Sequence, residues 1–425
     1  CASSSPIQIT LNGWFGVSRK DRILIISAVF PPEPVVSAML SRDIAEKLSQ
    51  YYKVTVLCPK PTRPLGYSFP EKFISDSLPY EVIHLPSFTS PESNILNRLR
   101  ESKSFGKHCS NYIALHKDEI LAVYANAWPL FSQKAIVKST RKYNILSVLH
   151  IQDIYPESIA EKLPVFFNWV ISLLFLPLDK YILKSASHII GISHSMISYL
   201  STSRGISLQK FSLVRNWQND EAFVQFLPYV SKLNEFVFMY VGSIAPSAGL
   251  DNVIRAYHII SDEHTKLIIA GNGAEKNKCV LLARDLNIKS IEFLEIAPEE
   301  VPELQSSADV LILPLKKGIA KTATPSKLTA YLLSAKPVIA CVEKNTDVAE
   351  IITKGQCGMI VEPEEINELA EVMKEVRNLS QETLVQMGQR SREFALKELS
   401  KEVNISKLIS IIESQIHHKN GDKKA

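Results

Sequence analysis

Residues 324–340, TPSKLTAYLLSAKPVIA, place a lysine at what reads as the start of a short helix ahead of a buried strand. Thr324 is a good N-cap and Pro325 a good first helical residue, so Ser326 and Lys327 fall in the first turn. A cation there opposes the helix dipole by roughly a few tenths of a kcal/mol. Two readings stay open: a solvated lysine, or a phosphate site in which free N–H groups and the ammonium act together. Two other loops bear on the choice. In VGSIAPSAG, Gly242 ends an apolar run and Gly249 starts a helical pattern, so the turn from Ser243 to Ser247 can turn backbone N–H groups to a phosphate. In AGNGAE, Gly271 and Gly273, with Asn272 between them, let the chain turn sharply past a ligand, although many strand-to-helix turns need a glycine anyway. In LPLKKGIAKTATPSK, Lys316, Lys317, Lys321 and Lys327 cluster at a strand end, which favours an anion such as a diphosphate over plain solvation.

The first half of the chain offers acid–base candidates. HIQDIYPES sets His150 and Asp153 just past a predicted strand, where an imidazole or carboxylate can take the proton of an acceptor hydroxyl. The plainer alternative is a packed histidine and an aspartate capping the turn before Pro156. Glu33, in FPPEPVVSA, is placed to hydrogen-bond substrate hydroxyls, or else is a solvated acid behind two rigid prolines. Asn126 and Trp128, in YANAWP, form a similar pair, with core packing the alternative for the tryptophan.

The elements that must position these groups come from continuous apolar runs. RILIISAVF at 22–30 reads as a strand buried on both faces, followed by a helical pattern over 37–51 and the run KVTVLCP. YEVIHLP, ILAVYANAW, NILSVLHIQD and HIIGIS continue the alternation, which restarts with EFVFMYVGS at 235–243 and runs on through TKLIIAGNG, SIEFLE, ADVLILPL and KPVIACV. Strand–helix alternation predicts an α/β fold of two doubly wound, Rossmann-like domains facing a cleft, with binding loops at the carboxyl ends of the strands. The divisions expected are a loose extension at 1–21, a first domain at 22–216, a linker at 217–234, a second domain at 235–395, and a helix with a polar tail at 396–425. The extension shows neither a signal peptide nor an anchor.

Composition narrows the partners. A chain of 425 residues exceeds one ordinary core, and 46% hydrophobic with 22% charged residues is globular. The net charge of +4, without a lysine–arginine run, argues against nucleic acid. Six cysteines without CxxC spacing, and no paired acids at a strand end, suggest neither a zinc site nor another metal, and point to reduced thiols in the cytoplasm. The segment 163–183, LPVFFNWVISLLFLPLDKYIL, is too short and proline-bracketed to span a bilayer. It reads either as a core helix or as one that dips into a lipid interface, with Trp169, Lys162, Lys180 and Lys184 favouring the second. Neither GxGxxG after the first strand of a domain nor GxxxxGK[ST] is present, which removes support for a dinucleotide dehydrogenase or a P-loop enzyme.

The ordered set FPPEPVVSA, QDIYPES, IIGIS, VRNWQND, YVGSIAPSAG, IAGNGAE, ADVLILPL, TPSKLTAYLLSAKPVIA and NTDVAEII with CGMIVEPE resembles glycosyltransferase family 4, from about Arg22 to about Arg392. Within it the chain resembles the bacterial capsule and O-antigen branch, including N-acetylfucosaminyltransferase-like members. The resemblance implies a GT-B fold and a retaining, metal-independent transfer with no cofactor. It implies a nucleotide sugar, UDP-linked, on the second domain and a carbohydrate or lipid-linked acceptor on the first. By position it sets Gly242 and Ser243 by the donor diphosphate, Gly271, Asn272 and Gly273 by the nucleoside, and Ser326 and Lys327 at the phosphates; Gly249 and Thr324 join them as donor-binding candidates from the loops they bound. Of the acid–base candidates read from the residues, Asp153 and His150 as proton acceptors and Glu33 and Asn126 beside the acceptor, the resemblance favours Asp153, whose motif matches the branch more closely. The chain departs from the family where two glutamates with seven residues between them are usual, carrying Thr322 and Ala330, and where an Arg and Lys pair is usual, carrying Ser243 and Ala248. Two alternatives stay open: a sugar-nucleotide epimerase of the same plan, and a non-catalytic partner that binds nucleotide sugar.

Overall fold

A computed structural model of the chain describes residues 21–62, 69, 78–90, 95–127, 130–157, 165–226, 235–322 and 326–421. Two parallel sheets organise it. The first has strands β1 (Arg22–Ile26), β2 (Lys53–Pro59), β3 (Glu81–Leu85), β4 (Ile120–Ala127), β5 (Leu146–Ile151), β6 (His188–Gly191) and β7 (Phe211–Leu213), in spatial order 3-2-1-4-5-6-7. The second has β8 (Phe236–Val241), β9 (Thr265–Ala270), β10 (Ile291–Leu294), β11 (Val310–Pro314), β12 (Val338–Cys341) and β13 (Gly358–Val361), in order 10-9-8-11-12-13. Each order reverses once, between β1 and β4 and between β8 and β11, and these reversals are the switch points where α/β sheets open a crevice. The central strands are apolar on both faces because helices cover both: β5 is buried at every position, and so is β11.

In the first domain α1 (Val36–Leu48) covers one face of the sheet, and α2 (Ile95–Leu115), α3 (Leu130–Lys142), α4 (Val165–Ser185) and α5 (His194–Arg204) cover the other. After the short α6 (Asp220–Val224), the second domain packs α7 (Leu250–Ile260), α8 (Lys276–Asp285) and, further along, α13 (Ile366–Arg377) on one face. The opposite face takes α11 (Ser326–Leu333), α12 (Asp347–Gly355) and the end of α14 (Gln381–Phe394); α9 (Val301–Ser306) and α10 (Ile319–Thr322) are short connectors.

The last helix, α15 (Lys401–Gly421), returns to the first domain. Ile405, Leu408, Ile409, Ile412 and Ile416 recur at helical spacing and bury with Ile23, Ile25, Val56 and Trp217 in one cluster. Each such side chain contributes about 1.5–3 kcal/mol of transfer free energy. Polar ties fix the crossing. Lys401 Nζ donates to Asp43 (2.9 Å), whose other oxygen accepts from Trp217 Nε1 (2.9 Å), and the Arg215 N–H donates to Asn404 Oδ1 (3.0 Å). Trp217, at the expected start of the linker, is therefore core of the first domain.

Two expectations about the apolar segment are altered. Pro177 lies inside α4 instead of terminating it, and the helix is not sandwiched between layers: Ile182 and Leu183 are buried while Trp169 and Leu174 stand 71% and 64% exposed. Among the described residues no helix is long and apolar enough to cross a membrane.

Candidate functional site

The second switch point gathers most of the expected donor residues. Tyr331 explains how α11 is aimed there. Its hydroxyl accepts from the Val241 N–H (2.9 Å) and donates to the Val241 carbonyl (3.1 Å), pinning the helix to the last residue of β8. Lys327 stands four residues earlier on the same helical face, so it is carried over the strand end. Its stem crosses Gly242 so closely that a Cβ there would sit 2.2 Å from Lys327 Cε; Gly242, at φ +147°, is what leaves the path open.

The ammonium lies 4.6 Å from the Tyr240 ring centroid and donates to the Tyr240 hydroxyl and to the Ser243 carbonyl, which also accepts from Tyr240 Oη. Burial pushes the Lys327 pKa down to about 8. Lys327 is thus neither a freely solvated side chain nor one held by a carboxylate. It rests on an aromatic face and a carbonyl, contacts that an anion can displace.

The neighbouring loops interlock through backbone. The Gly242 N–H donates to Ala270 O (2.8 Å), the Ile244 N–H to Asn272 O (2.9 Å) and the Lys316 N–H to Ser247 O (3.0 Å). Gly249, capping α7, stands against the Lys316 stem, and Ser243 and Asn272 are exposed on the loop surfaces. Gly271 and Gly273 are explained first by this packing. A Cβ on Gly271 would fall 2.0 Å from the Gly242 carbonyl oxygen, and one on Gly273 2.4 Å from that of Ile244. Gly271→Ala is accordingly expected to cost about 2–4 kcal/mol, read as a lower midpoint in urea unfolding. Thr324 lies outside the described residues, as do the side chains of Ser326 and Lys321; the Ser326 backbone begins α11.

On the first domain three expected acceptor-side groups turn inward. His150 is wholly buried in β5, sharing a 2.7 Å hydrogen bond through Nδ1 with Tyr124 Oη, and burial pushes its pKa down to about 3. It is a neutral core histidine, not an acceptor-side base; its Nε2 meets the Gln152 amide (3.3 Å), which in turn accepts from Asn216 Nδ2 (2.7 Å). Glu33 is 4% exposed and accepts the Thr62 N–H (3.0 Å), with burial raising its pKa, so it holds a loop instead of facing substrate. Asn126 ties β4 to α1 by donating to Ser41 Oγ (3.1 Å). Asp153 alone of the four remains exposed beyond its strand. Trp128 is outside the described residues.

One residue with no assigned role emerges between the domains. Asp347, in the first turn of α12, is 3% exposed. It accepts the N–H groups of His194 (2.8 Å) and Ser195 (2.9 Å) at the start of α5 and the Ser195 hydroxyl, with Arg215 at 3.5 Å. Burial opposes its charge, yet these donors hold its pKa below the ordinary carboxylate value. The contact closes one side of the crevice. The motif NTDVAEII contains Asp347, but its partners are some 150 residues away in sequence, which local spacing does not reveal.

Residues 225–394 match the family model described as Glycosyl transferases group 1. Among curated relatives, a putative colanic acid biosynthesis glycosyl transferase of Escherichia coli K12, WcaI, is 26% identical over 42% of this chain and 43% of its own length. A probable glycosyltransferase of Pseudomonas aeruginosa, WbjE, is 21% identical over 56% of this chain and 61% of its own. The chain thus spans about half the length of the curated relatives it matches. Among solved structures, Anabaena Alr3699/HepE in complex with UDP superposes with a TM-score of 0.66 at 15% identity, covering 92% of this chain and all of that one. By sequence over its second domain and by shape over both, the chain aligns with the group 1 glycosyltransferases and carries their GT-B fold of two Rossmann-like domains.

Proposed function

We propose that the protein transfers a sugar from a nucleotide diphosphate donor to a carbohydrate or lipid-linked acceptor in the assembly of a surface polysaccharide. The carrying observation is Lys327, laid over Gly242 at the β8 switch point with Tyr240 and the Ser243 carbonyl as the partners of its ammonium among the described residues. A diphosphate docked there meets the ammonium, the N-terminus of α11 and the turn after Gly242 together, so charge growing on the leaving group is stabilised where it appears. The names of the two relatives and the UDP in the superposed structure support this reading and favour a uridine nucleotide. In the same reading transfer is retaining and needs no metal, protein cations doing that work. Asp153 faces the acceptor and takes the proton of its attacking hydroxyl, and the enzyme works on the cytoplasmic side of the membrane.

The test is incubation with labelled nucleotide sugars and a bacterial lipid extract, following label into the acceptor fraction. An epimerase would instead release an isomerised nucleotide sugar with no acceptor present. A binding partner, the reading that gains from Thr322 and Ala330 standing where the resembled family usually has its glutamate pair, would leave every donor unconsumed.

Binding should also report Lys327 directly. With its pKa at about 8, the cationic form that attracts a diphosphate dominates below that value and is lost above it. UDP affinity by titration calorimetry is expected to be level near pH 7 and to fall as pH rises past about 8, approaching tenfold per unit at the limit. A profile still level at about pH 9.5 would remove Lys327 from the phosphate site.

A further inference from the structure

The helices α2, α3, α4 and α5 cover one face of the first sheet, so their outer sides form one surface, with α2 beside α3 and α3 beside α4. Every exposed position of α3 is a cation: Lys134, Lys138, Arg141 and Lys142. Lys103 and Lys107 extend this surface on α2, and Lys180 and Lys184 on α4. The carboxylates of these helices do not reach it. α3 and α5 contain none; the one acid of α2, Glu101, is 8% exposed and bound by Arg98; the one acid of α4, Asp179, is 5% exposed and bound by Arg204. Among the described residues, exposed acids flank these helices past the end of α2, at Asp118 and Glu119, and before α4, at Asp153.

Bulky apolar side chains of α4 share this surface. Trp169, Leu173 and Leu174 stand 71%, 59% and 64% exposed on one side of α4. They lie in its first half. A helix that follows a parallel strand starts at the strand's carboxyl end, so this apolar group lies at the crevice rim and the lysines stand behind it.

We infer that this face docks on an anionic lipid bilayer, the apolar group entering the headgroup boundary and the lysines meeting acidic headgroups. A second copy of the chain would present the same positive surface and be repelled. A nucleic acid would use the lysines but gain nothing from Leu173 and Leu174, whereas a bilayer uses both. The inference deepens the proposed reading by placing the acceptor side of the crevice at a membrane.

The test is flotation of the full chain with vesicles of phosphatidylcholine alone or with about one-third phosphatidylglycerol. Binding is expected to require the anionic lipid and to weaken in about 0.5 M salt. Lys134→Glu combined with Lys138→Glu should lower it roughly tenfold or more, and Trp169→Ser combined with Leu173→Ser should do so by a comparable factor. Circular dichroism checks that both variants fold. Transfer to a water-soluble acceptor should be unchanged in either, which separates failure of this inference from failure of the transfer reading. Equal flotation with both vesicle types, or no flotation of the wild-type chain, overturns it. So does a DNA duplex that displaces the vesicles and binds the Trp169→Ser, Leu173→Ser variant as tightly as wild type, which would mark a nucleic-acid surface.

Discussion

Lys327→Ala is expected to lower kcat/KM for sugar transfer by roughly a hundred- to a thousandfold, the loss typical when one donor to a developing negative charge is removed. The reason lies in what Lys327 touches. Among the described residues its ammonium meets the Tyr240 ring and hydroxyl and the Ser243 carbonyl, none of them an anion, and its stem crosses Gly242 at the end of the strand. The leaving diphosphate gains charge as the glycosidic bond breaks, so the loss should appear mainly in kcat, with a smaller rise in KM. Folding should survive. A lysine whose pKa is depressed by burial is a cost to the folded state that alanine removes, offsetting the lost packing of its stem. Lys327→Arg restores the charge but must pass a planar guanidinium across the Gly242 backbone, and is expected to recover only part of the rate. Steady-state kinetics with a urea unfolding curve for each variant separates these outcomes; wild-type turnover in Lys327→Ala would end the phosphate assignment.

Arg204→Ala should destabilise the chain by about 3–5 kcal/mol, because removing one member of a buried ionic group leaves its partners charged and uncompensated. Arg204 is 1% exposed. Its Nε donates to Asp179 (2.8 Å), its two terminal nitrogens grip Glu157 (2.8 Å each), and Nη2 also reaches the Tyr155 carbonyl (2.6 Å). One side chain thereby joins α4, α5 and the segment that follows Asp153. The variant should unfold at lower urea, and Asp153 should lose its fixed position, so residual transfer should show a raised KM for acceptor with KM for donor nearly unchanged. Arg204→Lys keeps a charge but cannot make the forked contact with Glu157, and should fall between. An unaltered unfolding midpoint in Arg204→Ala would mean that desolvation cancels the ionic contacts.

The architecture was legible because apolar runs such as RILIISAVF and EFVFMYVGS are long, continuous and bounded by turn residues; they became β1 and β8. The loops of the second domain were legible too, since strand ends are where an α/β sheet exposes backbone. Side-chain direction was not. In a strand buried on both faces, alternation carries no label for inside or outside, so His150, written at the end of an apolar run, went to the core against Tyr124. Glu33 misled for a related reason: a loop acid normally seeks water, and only the fold brings the Thr62 N–H to it. The importance of Tyr240 was hidden in a strand that reads as plain core, and that of Asp347 by distance along the chain. Charge was the subtlest case. A net +4 says little about partners when the acids of α2 and α4 are turned inward and α3 has none.

The return of α15 to the first domain has a consequence for how the molecule comes into being. The amino-terminal lobe precedes the second domain in the chain, yet the isoleucines that finish its hydrophobic interior follow that domain and leave the ribosome only after it. Until then Ile23, Ile25 and Val56 have one flank uncovered, so completion of the older lobe waits for the younger one to be synthesised.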